Sequence, residues 1–423
     1  MQVVERYIQQ VQSANLYPNH YVIHGKKGNQ VDVECEQSGD RLLATNFGNN
    51  DILGLAQHPA VTESAIEAIR RFGATNSSCH TLCGRIDLHR ELEQEISRFK
   101  GLPHTYLFLN AWMALQAVMD GFCHLAIPVP GFSNRRETLI LTDIMNHGCI
   151  TSAVVNADNR SGKMLTHSPK VRNKVYRHTD MANLRSKLQR FAKPDDRIIV
   201  VTDAVFSMDG DFVPLPELVE VMAEYPGSVL ILDEAHSSGA LGNTGHGICE
   251  HFDLSPAEIK SRGVEPIIMT TFSKFGASAG AAISTFCKEF TMLLDACPTS
   301  IGTISLSPPA TAAALAAIRQ LGKQPELPGL LRQRTRFLRQ LLSENDFEAT
   351  GITNVVPVLM PDGIDVKDFC DYLLKQHGIW ASPVWFIAKP RIRIVVNVSH
   401  TEAELSQLVE ALVATRGTFT GHD

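Results

Sequence analysis

Long apolar runs are missing from this chain. No stretch approaches the roughly 18 consecutive apolar residues that span a bilayer, so no membrane-spanning segment is expected. An excess of basic residues is missing too. The 39 lysines and arginines are outnumbered by 45 aspartates and glutamates, for a formal net charge of -6, which argues against a nucleic-acid binder, whose affinity needs a cationic face. The opening residues Met1-Gln2-Val3-Val4-Glu5-Arg6-Tyr7 lack the apolar core of a signal peptide. A disulfide framework is not suggested either: nine cysteines, an odd number scattered over 423 residues, point to reduced thiols and a cytosolic setting. Cys79, His80 and Cys83 lie close together, but no second Cys/His pair has matching spacing, and no metal site is expected. What is present is ordinary for a globular protein of two or more domains: 44% hydrophobic and 20% charged residues, without repeats or low-complexity segments.

Three continuous apolar runs organise the middle of the chain: Ile198–Val201, Val229–Leu232 and Ile267–Met269. Runs of this kind suit strands buried on both faces, as in a mostly parallel sheet covered by helices. Helices are expected from Pro59, with Val61, Ala65, Ile69 and Phe72 on one face and Gly73 as cap, and over Leu88 to Phe99. A further helix follows Ser307-Pro308-Pro309. Residues 1–45 read as an N-terminal helix and short strands. Residues 46–300 read as a large domain, and 301–423 as a smaller α/β domain. In that last part Arg391-Ile392-Arg393-Ile394-Val395-Val396 alternates, placing both arginines on one face of a strand.

Each central run ends in polar residues, and open α/β sheets bind ligands at such strand ends. Lys274, within Thr270-Thr271-Phe272-Ser273-Lys274, stands among hydroxyls at the mouth of a buried strand. An amine there is suited to forming a Schiff base, with the hydroxyls holding a phosphate. Asp233, after the run ending at Leu232, is placed to keep a pyridine nitrogen protonated, which makes the ring an electron sink. His236 is placed to donate to the ring's phenolic oxygen, with Ala235 leaving room for a flat ring. Taken singly, Asp233 is equally explained as a helix cap and Ser207 as a turn serine; the combination with Lys274 favours the cofactor.

These segments resemble the α-oxoamine synthases. Asn50-Asp51-Ile52-Leu53-Gly54-Leu55, Asp87-Leu88-His89-Arg90-Glu91-Leu92-Glu93, Phe206-Ser207-Met208-Asp209-Gly210-Asp211, Asp233-Glu234-Ala235-His236 and Thr271-Phe272-Ser273-Lys274 occur in that family's order, from about residue 45 to Arg393. The resemblance implies a fold type I transferase dependent on pyridoxal 5'-phosphate, with a mostly parallel seven-stranded sheet in its large domain. It implies Lys274 as the Schiff-base lysine and proton-transfer base, Asp233 on the ring nitrogen, His236 on the phenolic oxygen and His147 stacked on the ring. Ser207, Thr271 and the N–H groups of Ala111 and Trp112 fit the cofactor's phenolate and phosphate. Ser305 fits a phosphate contact contributed by a second subunit, hence a homodimer. Asn50 and Arg393 fit the amino-acid carboxylate, and a guanidinium pairs with a carboxylate through two hydrogen bonds. The implied reaction joins an amino acid to an acyl thioester, releasing CO2, a thiol and an α-aminoketone. Other fold type I enzymes, such as aminotransferases or aldolases, and a non-catalytic subunit are the competing readings.

Three departures stand out. Thr75-Asn76-Ser77-Ser78-Cys79-His80-Thr81-Leu82-Cys83-Gly84 occupies the place of a glycine-rich region that borders the substrate in the family, so glycine or alanine is not assumed as the amino acid. Asp203 stands where the family has glutamate. Residues 126–132 read as an insertion, and 157–177 carry Arg160, Lys163, Lys170, Arg172, Lys174 and Arg177 against Asp158. That basic stretch reads either as a solvated loop or as a docking surface for the phosphates of coenzyme A or for an acyl carrier protein.

Overall fold

The computed structural model describes residues 1–14, 20–124, 136–160, 170–386 and 389–421. Two compact units emerge. Strands are numbered along the chain. β1 (Tyr21–Lys27), β2 (Gln30–Cys35) and β3 (Arg41–Asn46) belong to the smaller unit. β4 (His104–Phe108), β5 (Thr138–Asp143), β6 (Val171–Tyr176), β7 (Arg197–Asp203), β8 (Ser228–Asp233), β9 (Val264–Thr271) and β10 (Ala281–Thr285) belong to the larger. β11 (Val355–Leu359), β12 (Ile379–Trp380), β13 (Ser382–Val384) and β14 (Arg391–Val395) return to the smaller.

The larger unit, residues 50–333 with 352–354, is an α/β layer structure around a seven-stranded sheet ordered β4-β10-β9-β8-β7-β5-β6. Pairings β5–β6, β5–β7, β7–β8 and β8–β9 are parallel; β10 runs antiparallel to both its neighbours. The apolar runs split their side chains between two cores, as the period of two in a strand requires. Val200, Leu230 and Leu232 join one cluster, while Ile199, Val201 and Ile231 join the other. With both faces covered, every residue of β5 and β8 is buried. The expected helices form at Pro59–Phe72, Asp87–Lys100 and Pro308–Lys323. His58 caps the first, accepting the Ala60 N–H at 3.2 Å, and Gly73 follows it. The Pro308–Lys323 helix packs on the other two, so the larger unit continues past the boundary expected at residue 300 and runs to Gln333.

The smaller unit combines residues 1–49, 334–351 and 355–423. It holds a sheet ordered β1-β2-β3-β12, in which β12 is parallel to β3, and an antiparallel sheet ordered β11-β14-β13. Both arginines of β14 are buried. Helix Val366–His377 starts at Asp365, which accepts the N–H groups of Lys367 and Asp368, and ends at Gly378 in the left-handed region at φ 63°. That is a backbone conformation glycine adopts without Cβ strain. Helix Glu402–Thr420 opens with a Thr401/Glu404 capping box. Among the described residues, no helix is long and apolar enough to cross a membrane.

Candidate active site

Parallel strands end together, and here the ends carry the chemistry. Asp203 and Asp233 are register partners at the carboxyl ends of β7 and β8. The Ala204 N–H donates to the Asp233 carbonyl at 2.9 Å, and the Glu234 N–H donates to the Met269 carbonyl at 2.9 Å. Three chain segments are thereby tied around one point. Asp233 is 2% exposed; one carboxylate oxygen accepts the Ala235 N–H at 2.9 Å, and the other lies 3.8 Å from the Cys149 thiol. Burial pushes its carboxyl above the ordinary range, and the nearby Lys274 ammonium and His147 oppose that rise. Burial, and then the Asp233 charge, hold Asp203 well above its ordinary value.

His147 is brought to this point from the turn after β5. Its N–H donates to Asp203 Oδ2 at 2.6 Å. The preceding Asn146 clamps the turn: its amide donates to Thr142 Oγ1 at 2.7 Å and to the Val201 carbonyl at 2.9 Å, and its oxygen accepts the Asp203 N–H at 2.9 Å. His147 Nδ1 accepts the Cys149 N–H at 3.2 Å, with the Cys149 thiol 2.9 Å away. Nδ1 is therefore the acceptor, and the ring proton sits on Nε2. Burial and the Lys274 charge both lower the pKa of His147.

Lys274 lies in the connection between β9 and β10, whose antiparallel pairing sets Thr271 opposite Ala281. Thr271 Oγ1 lies 3.1 Å from the Gly280 carbonyl and 3.0 Å from Ser273 Oγ. His236 is buried, directly after Ala235. The Ser207 loop after β7 is closed by hydrogen bonds from Phe206 N–H to Asp211 O and from Gly210 N–H to Phe206 O, each 2.9 Å. A residue not singled out from sequence, His178, fastens this loop. Its ring contacts Asp143 Oδ1 at 3.0 Å and Asp211 Oδ2 at 2.8 Å, edge-on to Phe206. Asn146, Cys149 and His178 were missed because the contacts that tie them to the site, Asn146 to Val201 and Asp203, Cys149 to Asp233, and His178 to Asp143 and Asp211, reach far along the chain; only adjacency to His147 could have signalled the first two.

Helix Ala111–Cys123 presents an anion-binding end. Asn110 caps it by accepting the Met113 N–H at 2.9 Å, and the Ala111 and Trp112 N–H groups have no partner among the described residues. The Trp112 ring lies beside Gly148, next to His147. A buried carboxyl at a strand end, an amine, an imidazole, hydroxyls and a free helix N-terminus make a donor set that fits pyridoxal 5'-phosphate.

Three expected residues remain: Asn50, Arg393 and Ser305. Asn50 is half-buried at the start of the larger unit. Arg393 is 8% exposed on β14 of the smaller unit, and burial lowers its pKa. Ser305 is buried, its hydroxyl 2.7 Å from the Gly84 carbonyl, 3.2 Å from the Ser78 carbonyl and 3.1 Å from the Asn76 amide. Its side chain thus braces the 76–84 segment. Within that segment His80–Gly84 forms a π-turn, and His80 lies 3.1 Å from Asp295 and 3.3 Å from Glu93. Among the described residues no cluster of metal-ligating side chains was found. Residues 126–132 and 161–169 lie outside the described residues. Of the basic stretch around them, Arg172 is largely buried in an ion pair with Asp196, and Arg177 is exposed and pairs with Asp180.

The sequence model of the aminotransferase class I and II family matches residues 44–412. The chain is 30% identical to a serine palmitoyltransferase of Bacteroides thetaiotaomicron over 96% of this chain and 94% of that one. It is 29% identical to an 8-amino-7-oxononanoate synthase of Exiguobacterium sibiricum over 96% and 95%. A solved serine palmitoyltransferase from S. paucimobilis with bound PLP superposes with a TM-score of 0.83 at 22% identity, covering 99% of this chain and 98% of that one.

Proposed function

Because the chain belongs to the aminotransferase class I and II family, and within it to the α-oxoamine synthases, we propose that it condenses an amino acid with an acyl thioester, releasing CO2 and a thiol and yielding an α-aminoketone. The observation that carries this reading is the convergence of the buried Asp233 carboxyl at the end of β8, Lys274 after β9 and His147 after β5, the last tied by its main-chain N–H to Asp203, the register partner of Asp233. When bound, pyridoxal 5'-phosphate supplies the electron sink that stabilises negative charge at the amino acid's α-carbon.

The chain's own groups do the rest. Asp233 keeps the ring nitrogen protonated, and His236 donates to the phenolic oxygen. Lys274 would hold the cofactor through its amine and, once displaced by the amino acid, would take the α-proton. His147 would stack on the ring, and its own ring proton is on Nε2, since Nδ1 accepts the Cys149 N–H. The N–H groups of Ala111 and Trp112, with Thr271 and Ser207, would hold the phosphate and phenolate; the Ser305 hydroxyl is committed to the Gly84 and Ser78 carbonyls and is not carried over as a phosphate contact, so a homodimer is proposed from the family alone. Asn50 and Arg393 are each a candidate for recognising the amino-acid carboxylate. Loss of CO2 makes the condensation effectively irreversible. The matches favour this reaction over an aminotransferase or aldolase. Retention of the lysine together with Asp233 and His236 argues against a non-catalytic subunit.

The acyl donor is a coenzyme A or an acyl-carrier-protein thioester. All nine cysteines are free thiols, which suits the cytoplasm. The test is a screen of twenty amino acids, each with acyl-CoA and acyl carrier protein donors, scored by CO2 and free thiol. One amino acid releasing both in equal amounts is the expected result. A keto acid or an aldehyde without CO2 would overturn it.

A further inference from the structure

One helix end braces two of the segments that carry the site. Helix Asp87–Lys100 closes with Phe99 and Lys100, both buried. The Phe99 ring stacks on Phe275, the residue after Lys274, with centroids 5.4 Å apart and planes 9° from parallel. Lys100 Nζ donates to Glu234, the residue after Asp233, and also to Ser238 Oγ at 2.7 Å and the His246 carbonyl at 2.9 Å. Those three acceptors match the three donors of an ammonium. The other Glu234 oxygen accepts the Ile248 N–H at 3.1 Å.

The same wall is closed from the far side. Gly247 (φ 107°) has no room for a side chain, since a Cβ would come within 2.3 Å of Glu234 Oε2. Gly239 is equally restricted, with a Cβ position 2.5 Å from Phe275 Cβ. The 234–248 loop therefore packs between Lys100 and Phe275 with both ends fixed. A buried ion pair is weak evidence of added stability, because desolvation offsets its attraction; specificity of position is the better-attested gain.

We propose that Lys100 and Glu234 are positioning residues, a buried pair that sets the loop carrying His236 against the Lys274 segment. The inference rests on the reading of Lys274, Asp233 and His236 given above. It predicts that neutralising both partners leaves the fold intact and degrades the site. The test compares wild type, Lys100→Met/Glu234→Gln and Gly247→Ala; the last intrudes on Glu234 from the opposite side and serves if the double variant does not fold.

Three measurements decide it: hydrogen–deuterium exchange of residues 235–248 in the cofactor-free protein, the pH at which the visible band of the cofactor-loaded protein titrates, and kcat apart from KM. The expected outcome is loop exchange faster by about tenfold or more with a near-unchanged Tm, a displaced band titration, and kcat lower by roughly 10–100-fold with the amino-acid KM changed less than about threefold. Wild-type exchange, titration and kcat in a folded variant would reduce the pair to packing and overturn the proposal. Absence of a cofactor band and of condensation in the wild type would instead sink the functional reading.

Discussion

Asp233 and Glu234 are consecutive carboxylates, both removed from water, and the molecule treats them in opposite ways. Glu234 meets an ammonium, a hydroxyl and a main-chain N–H inside the larger unit. Asp233 meets one main-chain N–H and a distant thiol, beside a second buried carboxyl, and burial drives its affinity for protons up. The strand pleat separates them, turning one side chain toward the helix wall and the other toward the strand ends. A charge matched within the protein contributes to one geometry; a charge left short of partners is ready for a cationic ligand.

Lys274→Ala is the harshest way to break this contrast. It should lower turnover by about 10²–10⁴-fold and remove the visible band of bound cofactor, both read on purified protein. It should also make Asp233 harder to ionise in the cofactor-free state, because the Lys274 charge is what opposes burial there.

The next pair of variants sets the two carboxylates against each other. Glu234→Gln strands Lys100 and should destabilise the protein by about 3–5 kcal/mol in denaturant titrations. Asp233→Asn should raise the Tm of the cofactor-free protein, although it lowers kcat by about 10²–10³-fold. The sign follows from linkage. A carboxyl whose folded pKa is raised costs stability once pH exceeds its unfolded value near 3.8, so the advantage of asparagine should widen as pH rises from there. Equal Tm changes for both variants would erase the distinction.

His178 offers the mildest and sharpest comparison. Burial opposes its charge, but the bonds to Asp143 and Asp211 prevail and lift the imidazole to about 10. Its contribution should be complete below its unfolded value of 6.5 and vanish as pH climbs through about 10. Chemical denaturation of wild type and His178→Asn at several pH values measures this. The gap between them should be constant up to about pH 6.5 and close by about pH 10. A gap independent of pH would mean that the ring matters only for packing on Phe206.

The central sheet was legible because its parallel strands are buried on both faces and leave continuous apolar runs at 198–201, 229–232 and 267–269. The motif residues Asp233, His236 and Lys274 were legible because each stands at the end of such a run. Other features left no local trace. Lys100 and Glu234 are 134 positions apart, and nothing near Lys100 marks it as buried. β10 was not foreseen as the antiparallel strand between β4 and β9, since Ala281-Ala282-Ile283 is too short and small to stand out. The end of the larger unit at Gln333 rather than 300 follows from where the alanine-rich helix Pro308–Lys323 packs, which periodicity alone does not reveal. Ser305 shows a motif position whose hydroxyl is committed to neighbouring carbonyls.

Gly84 carries one practical corollary. A methyl group there would lie 2.1 Å from the Ser78 carbonyl oxygen and 2.7 Å from the Ser305 hydroxyl. Anyone randomising codons 75–84 to redirect substrate preference should keep position 84 invariant. Otherwise most clones will be lost to misfolding before selection begins.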